Sequence, residues 1–127
     1  MLNKSVSGAK GKGIKRLVKN LLFICNNNVV RSKTAENVMK NHKKYCVKSA
    51  GLSHWADVPL TSNAIKWADV IFVMDEDHEM QKSRVLQEFP EAFKKQIVIL
   101  EIPSTHGFRD EPELTKTLKE KLKVYLR

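Results

Sequence analysis

The sequence predicts an α/β domain: a parallel sheet with helices on both faces. At 127 residues it suits one domain, long enough to bury a continuous core without disulfides or a structural metal. It contains short, wholly apolar runs of the kind found in strands buried on both faces. These runs alternate with segments of helical periodicity, the pattern of a parallel sheet with crossover helices.

The first strand is Leu21-Leu22-Phe23-Ile24-Cys25, which ends abruptly in Asn26-Asn27-Asn28. A helix is expected from about Ser32 to Lys44, with Ala35, Val38, Met39 and His42 on one face. His42 then reads as a core histidine. Tyr45-Cys46-Val47 is a second strand, closed by Ser49-Ala50-Gly51, and Cys46 reads as packed core. Residues 51–60 form a loop containing Trp55, which can pack either on its own loop or against a substrate ring. A short helix follows near Thr61 to Trp67, with Thr61 or Ser62 as its cap. Val70-Ile71-Phe72-Val73-Met74 is the third strand. Asp75-Glu76-Asp77 are placed at the start of a helix running to about Phe89, where the helix dipole favours acidic residues. Ile97-Val98-Ile99-Leu100 is the fourth strand. A last helix starts near Pro112, with Leu114, Leu118, Leu122, Tyr125 and Leu126 on its apolar face.

Composition excludes several classes. Hydrophobic residues at 42% and charged residues at 29% are ordinary for a globular domain and argue against disorder. No apolar run approaches the ~18–20 residues of a membrane span, so no membrane partner is expected. No apolar segment follows the N-terminal lysines as a secretory signal requires, and a cytoplasmic location with reduced thiols is expected. Cys25 and Cys46 are the only cysteines, too few for a disulfide framework or a Cys-rich zinc site. His54 and His78 have no ligand-spaced partners, so no metal is expected, and no cofactor is called for. The net charge of +9 is concentrated: residues 1–19 hold Lys4, Lys10, Lys12, Lys15, Arg16 and Lys19 with no acid, leaving +3 for the remainder. This stretch reads as a basic flexible tail ahead of a domain at 20–127. No aromatic residue stands among its lysines to stack on a base, which favours a soluble leader over a nucleic-acid arm.

In parallel sheets ligands gather outside the C-terminal strand ends, and the first strand ends at Cys25. A tight loop of Asn26, Asn27, Asn28, Val29 and Val30 before a helix can turn successive N–H groups inward as an anion nest. Asn tolerates left-handed backbone better than other non-glycine residues. Arg31 adds a planar fork suited to phosphate, and Ser32 follows it with a hydroxyl. Cys25 at the base of such a nest suits a thiolate nucleophile under a bound phosphoryl group. A Cys and an Arg six apart also arise by chance, as a buried Cys and a surface Arg. The strand before, the helix after and the turn-prone residues between set this pair apart.

The run Leu22-Phe23-Ile24-Cys25, Asn28, Arg31-Ser32-Lys33-Thr34-Ala35-Glu36 resembles the signature of the low-molecular-weight protein tyrosine phosphatases, most closely their short bacterial form. The likeness continues in Ser49-Ala50-Gly51, in Trp67 to Met74 with His78 beyond, and in Ile102-Pro103. It implies a three-layer α/β/α fold with strand order 2-1-3-4 and a phosphate-binding loop after strand 1. It implies Cys25 as nucleophile forming a phosphocysteine, and Arg31 as the clamp on the phosphate oxygens. Asn28 would hold the loop backbone, Ser32 would donate to the thiolate, and the amides of Asn26 to Arg31 would cradle the phosphate. Substrates would be phosphorylated proteins or small aryl phosphates. Val30 replaces the second Cys of many members, which removes a vicinal disulfide.

The family's general acid follows the Ile-Pro pair in the short forms, whereas Ser104-Thr105-His106 follow it here. Loss of a general acid costs ~10²–10⁴ in rate. Asp110 is the first choice to replace it, His106 and Glu111 are alternatives, and an unassisted step is the third possibility. The rival to a phosphatase is a binding module that keeps the nest and Arg31 without an effective acid.

Overall fold

A computed structural model describes residues 18–126 of the chain. The basic tail up to residue 17 lies outside the described residues, and Lys19 already belongs to the first strand. The elements run β1 (Lys19–Cys25), α1 (Arg31–Met39), β2 (Tyr45–Gly51), α2 (Ser62–Trp67), β3 (Val70–Val73), α3 (Gln81–Glu88), a 3-10 turn (Pro90–Lys94), β4 (Gln96–Ile99) and α4 (Pro112–Tyr125). The sheet is parallel throughout, as the sequence pattern predicts, and its order β2-β1-β3-β4 is the one the family resemblance implies.

The period-2 geometry of β1 explains why its apolar run is continuous. Leu21, Phe23 and Cys25 face one core with Ala35 and Met39 of α1 and Leu114, Leu118 and Leu122 of α4. Leu22 and Ile24 face the other, with Ile65 of α2, Val85 of α3 and Ala92 of the 3-10 turn. Phe23 stacks on Phe72 across the β1–β3 pair, ring centroids 5.1 Å apart. With β2 and β3 on its two sides, β1 is the central support of the molecule, and its C-terminal residue is Cys25.

Three local expectations are corrected. α1 ends at Met39, not Lys44, because the chain turns there, the His42 N–H donating to the Met39 carbonyl. His42 is therefore outside the helix and exposed, its ring tilted against Tyr45. Cys46 is exposed, not core. It lies on the edge strand β2, whose first half is covered only on the side of Tyr45 and Val47. Finally, α3 begins at Gln81 rather than at Asp75. The Asp75 carboxylate accepts from the His78 and Glu79 N–H groups at 2.8 and 2.6 Å, closing a turn, and Met80 then takes a left-handed φ of 54°.

Candidate active site

The loop from Cys25 to Arg31 joins the central strand to the N-terminus of α1. Asn28 makes the reversal possible with a left-handed φ of 58°, and it is fully buried. Its side-chain amide donates to Ser32 Oγ at 2.8 Å. Ser32 Oγ lies 3.0 Å from Cys25 Sγ. A hydroxyl has one proton to give, and with Asn28 already donating to it, that proton is free to point at the sulfur. The Asn28 N–H adds a second donor to Sγ at 3.3 Å. Cys25 is thus buried at the floor of the loop with two donors aimed at its sulfur.

The loop is braced from two sides. The segment after β2 receives three of its carbonyls: Leu52, Ser53 and Asp57 N–H groups donate to the Cys25, Asn26 and Asn27 oxygens at 3.0, 2.8 and 3.1 Å. Gly51 is required where the two meet, since a Cβ there would lie 2.6 Å from Ala56 Cβ and 2.7 Å from the Asn26 oxygen. Trp55, on this bracing segment, is 90% exposed, so it does not pack on its own loop. On the other side, Arg109 Nε donates to the Val29 carbonyl at 2.8 Å. The Asp110 N–H donates to Thr34 Oγ1 at 2.8 Å, and Thr34 Oγ1 donates to the Val30 carbonyl at 2.7 Å.

Arg31 is buried at the far end of the loop. Its Nη1 donates to Glu79 Oε2 at 2.9 Å and to the Ile102 carbonyl at 3.0 Å, and its Nη2 to Glu79 Oε1 at 2.7 Å. Glu79 also accepts from Asn26 Nδ2 at 2.6 Å. The Asp75 turn presents Glu79. Burial pushes the Asp75 carboxyl up, but the N–H groups of Glu79 and His78 and the His78 ring outweigh it and hold it below the ordinary carboxylate value.

A cavity of about 370 Å³ opens over the loop, within the range of small-molecule sites. Cys25, Asn26, Arg31, Glu79, Ser104 and His106 are on its wall. The structure brings Cys25, Asn26, Asn27, Val29, Val30 and Arg31 to the wall of one cavity, and Asn28 and Ser32 are buried. Asp110 is placed elsewhere. Its carboxylate accepts from Asn37 Nδ2 with both oxygens 3.0 Å away, and it does not line this cavity. His106, the alternative, does line it, with Nδ1 3.0 Å from Glu111 Oε1. Glu79 has no signal in the sequence, where it falls within the stretch that reads as helix, whereas the helix begins at Gln81. Among the described residues no three His, Cys, Asp or Glu side chains gather as metal ligands, and no helix is long and apolar enough to cross a membrane.

Residues 20–67, which contain the whole loop, match the low molecular weight phosphotyrosine protein phosphatase family. Solved structures extend the likeness to the fold. The tyrosine phosphatase Wzb from Escherichia coli K30, in complex with phosphate, is 22% identical, with 85% of this chain and 96% of that one covered at a TM-score of 0.66. The low molecular weight protein tyrosine phosphatase SP-PTP from Streptococcus pyogenes is 18% identical over 86% and 91% of the two chains, at 0.71. The family match is confined to residues 20–67, and the solved structures share the fold of the domain around it. The YwlE arginine phosphatase from Geobacillus stearothermophilus shares the fold too, at 23% identity, 84% and 94% coverage and a TM-score of 0.59. No curated protein matches the chain significantly in sequence.

Proposed function

We propose that the chain is a cysteine-dependent phosphatase acting on phosphomonoesters of the phosphotyrosine kind, borne by proteins or by small aryl groups. It would work in the cytoplasm, with residues 20–127 as the phosphatase domain and the basic tail accessory to it. The observation that carries the reading is the Cys25 thiol at the floor of the loop, taking hydrogen bonds from Ser32 and Asn28, with Arg31 at the loop's other end. Cys25 Sγ attacks phosphorus, the P–O bond to the leaving group breaks, and its electron pair departs on that oxygen. The Asn26 to Arg31 amides and the guanidinium receive the equatorial oxygens. Water then attacks phosphorus, the S–P bond breaks, and the thiolate returns.

The leaving oxygen needs a proton, and the geometry favours His106 over Asp110 as its source. His106 is on the cavity wall, and with its Nδ1–H donating to Glu111 Oε1, Nε2 is the ring nitrogen left for the substrate. As the imidazolium, His106 gives its Nε2 proton to the leaving oxygen in the first step, and the neutral Nε2 takes one from water in the second.

Turnover of two aryl phosphates, one with an acidic and one with a weakly acidic phenol, tests both parts. Cys25→Ser is expected to abolish both reactions. His106→Asn should slow the poor leaving group by about 10²–10⁴ while sparing the good one, as removal of a general acid does, and Asp110→Asn should leave both near wild type. A wild-type protein that binds phosphate without turning over either ester would make the chain a binding module instead.

A further inference from the structure

The contacts of Arg31 divide its five N–H donors unequally. Both Nη1 protons are taken, by Glu79 Oε2 and by the Ile102 carbonyl. One Nη2 proton is taken by Glu79 Oε1. What remains is Nε–H and the second Nη2–H, which lie side by side on one edge of the guanidinium. That edge is a two-pronged fork of the spacing a phosphate accepts. The end of the guanidinium is thus fixed by the carboxylate so that its side is free for substrate.

Glu79 is itself held firmly. Its Oε1 accepts from Asn26 Nδ2 at 2.6 Å and from Gln81 Nε2 at 3.1 Å, besides Arg31. Asn26 Oδ1 in turn accepts from Arg84 Nη1 at 3.0 Å. The backbone is bent to serve this arrangement. Met80, the next residue, holds a left-handed φ of 54° although its side chain is half exposed and gains little by packing. A non-glycine residue keeps such a conformation where surrounding contacts over-determine it.

The geometry points to Glu79 as the positioning residue for Arg31: its carboxylate turns the Nε/Nη2 edge toward the phosphoryl group. This rests on the phosphatase reading of the loop. A carboxylate in this place also offsets the guanidinium charge, so it weakens simple attraction for an anion while fixing direction. Its contribution should therefore appear in the transition state, where the equatorial oxygens must meet the fork squarely, more than in ground-state phosphate binding.

Binding of orthovanadate, which takes up a five-coordinate geometry on a thiolate, compared with binding of inorganic phosphate separates the two. In Glu79→Gln the side-chain amide places N–H against N–H at one Arg31 contact. In Glu79→Asp the carboxylate keeps its charge but falls one methylene short. Both variants are expected to lose about 10- to 100-fold in vanadate affinity, the scale seen when an outer partner that orients a binding group is removed, with phosphate affinity changed less than about threefold and kcat falling while KM does not. An equal loss of vanadate and phosphate affinity, no change in either, or a gain in both would overturn the assignment, the last because Glu79 would then be a competitor for Arg31. A wild-type protein that binds neither anion would overturn the phosphatase reading itself, a separate result.

Discussion

Asn28 keeps φ at 58°, is fully buried, and spends its amide on Ser32 Oγ. Its Oδ1 is buried with no hydrogen-bond partner among the described residues. Asn28→Ala removes the residue type that tolerates this backbone and frees Ser32 from its orientation toward Cys25. We expect a loss of about 1–3 kcal/mol in stability, from the strain of a non-glycine residue in that region, and a larger fall in kcat than in KM. Denaturant titration and steady-state kinetics check the two parts. Asn28→Gly should recover stability but not rate, because glycine accepts the backbone and leaves Ser32 unheld. Asp75 gives a second residue-scale expectation. Its folded value lies below its unfolded one, so its contribution to stability is complete above roughly pH 4, the unfolded carboxylate value, and is lost as the pH falls through the folded value. Asp75→Asn should flatten the acid limb of the stability-versus-pH curve, and unchanged acid sensitivity would contradict this.

At the scale of elements, the junction between β2 and the phosphate loop is the tightest constraint. Cys25 and Gly51 are register partners at the ends of adjacent strands, and the chain beyond Gly51 donates to three carbonyls of the loop. Gly51→Ala would push a methyl group into the Asn26 carbonyl and Ala56. We expect about 1–3 kcal/mol of destabilisation, the usual cost of overpacking, with phosphate affinity falling as well because the displaced atoms belong to the loop. A variant that is destabilised but binds phosphate normally would show that the clash relaxes toward Ala56 alone. The elements were also the most legible level in the sequence. The unbroken apolar runs around Phe23 and Phe72 gave strands sealed on both faces, and Leu114, Leu118 and Leu122 gave α4. Cys46 and His42 were misread because apolar periodicity does not say that β2 is an edge strand or that α1 stops at Met39. Cys25 and Arg31 were readable because strand, turn and helix are contiguous around them. Glu79 and the cavity position of His106 were not, since each reaches the site through tertiary contacts that leave no local pattern.

Across the whole molecule, the two cores share one sheet, and β1 contributes alternate side chains to both. Neither core can dissolve without exposing the other side of the same strand, so unfolding should be a single cooperative transition. Leu118→Ala, on α4, is expected to lower stability by about 2–5 kcal/mol, and far-UV circular dichroism and tryptophan fluorescence should report the same midpoint shift. Midpoints that separate would mean that α4 and its core come away independently.

The cavity gathers residues from the first strand's end, the turn before α3 and the loop before α4. In a chain built on the ribosome from its N-terminus, these parts do not arrive together. At ~5–20 residues per second, Cys25 precedes His106 by on the order of ten seconds. During that interval the nascent chain carries its thiol without the Glu79 brace, the Ile102 carbonyl or the His106 wall. The cavity on which the proposed function rests is therefore complete only once the chain has emerged past His106.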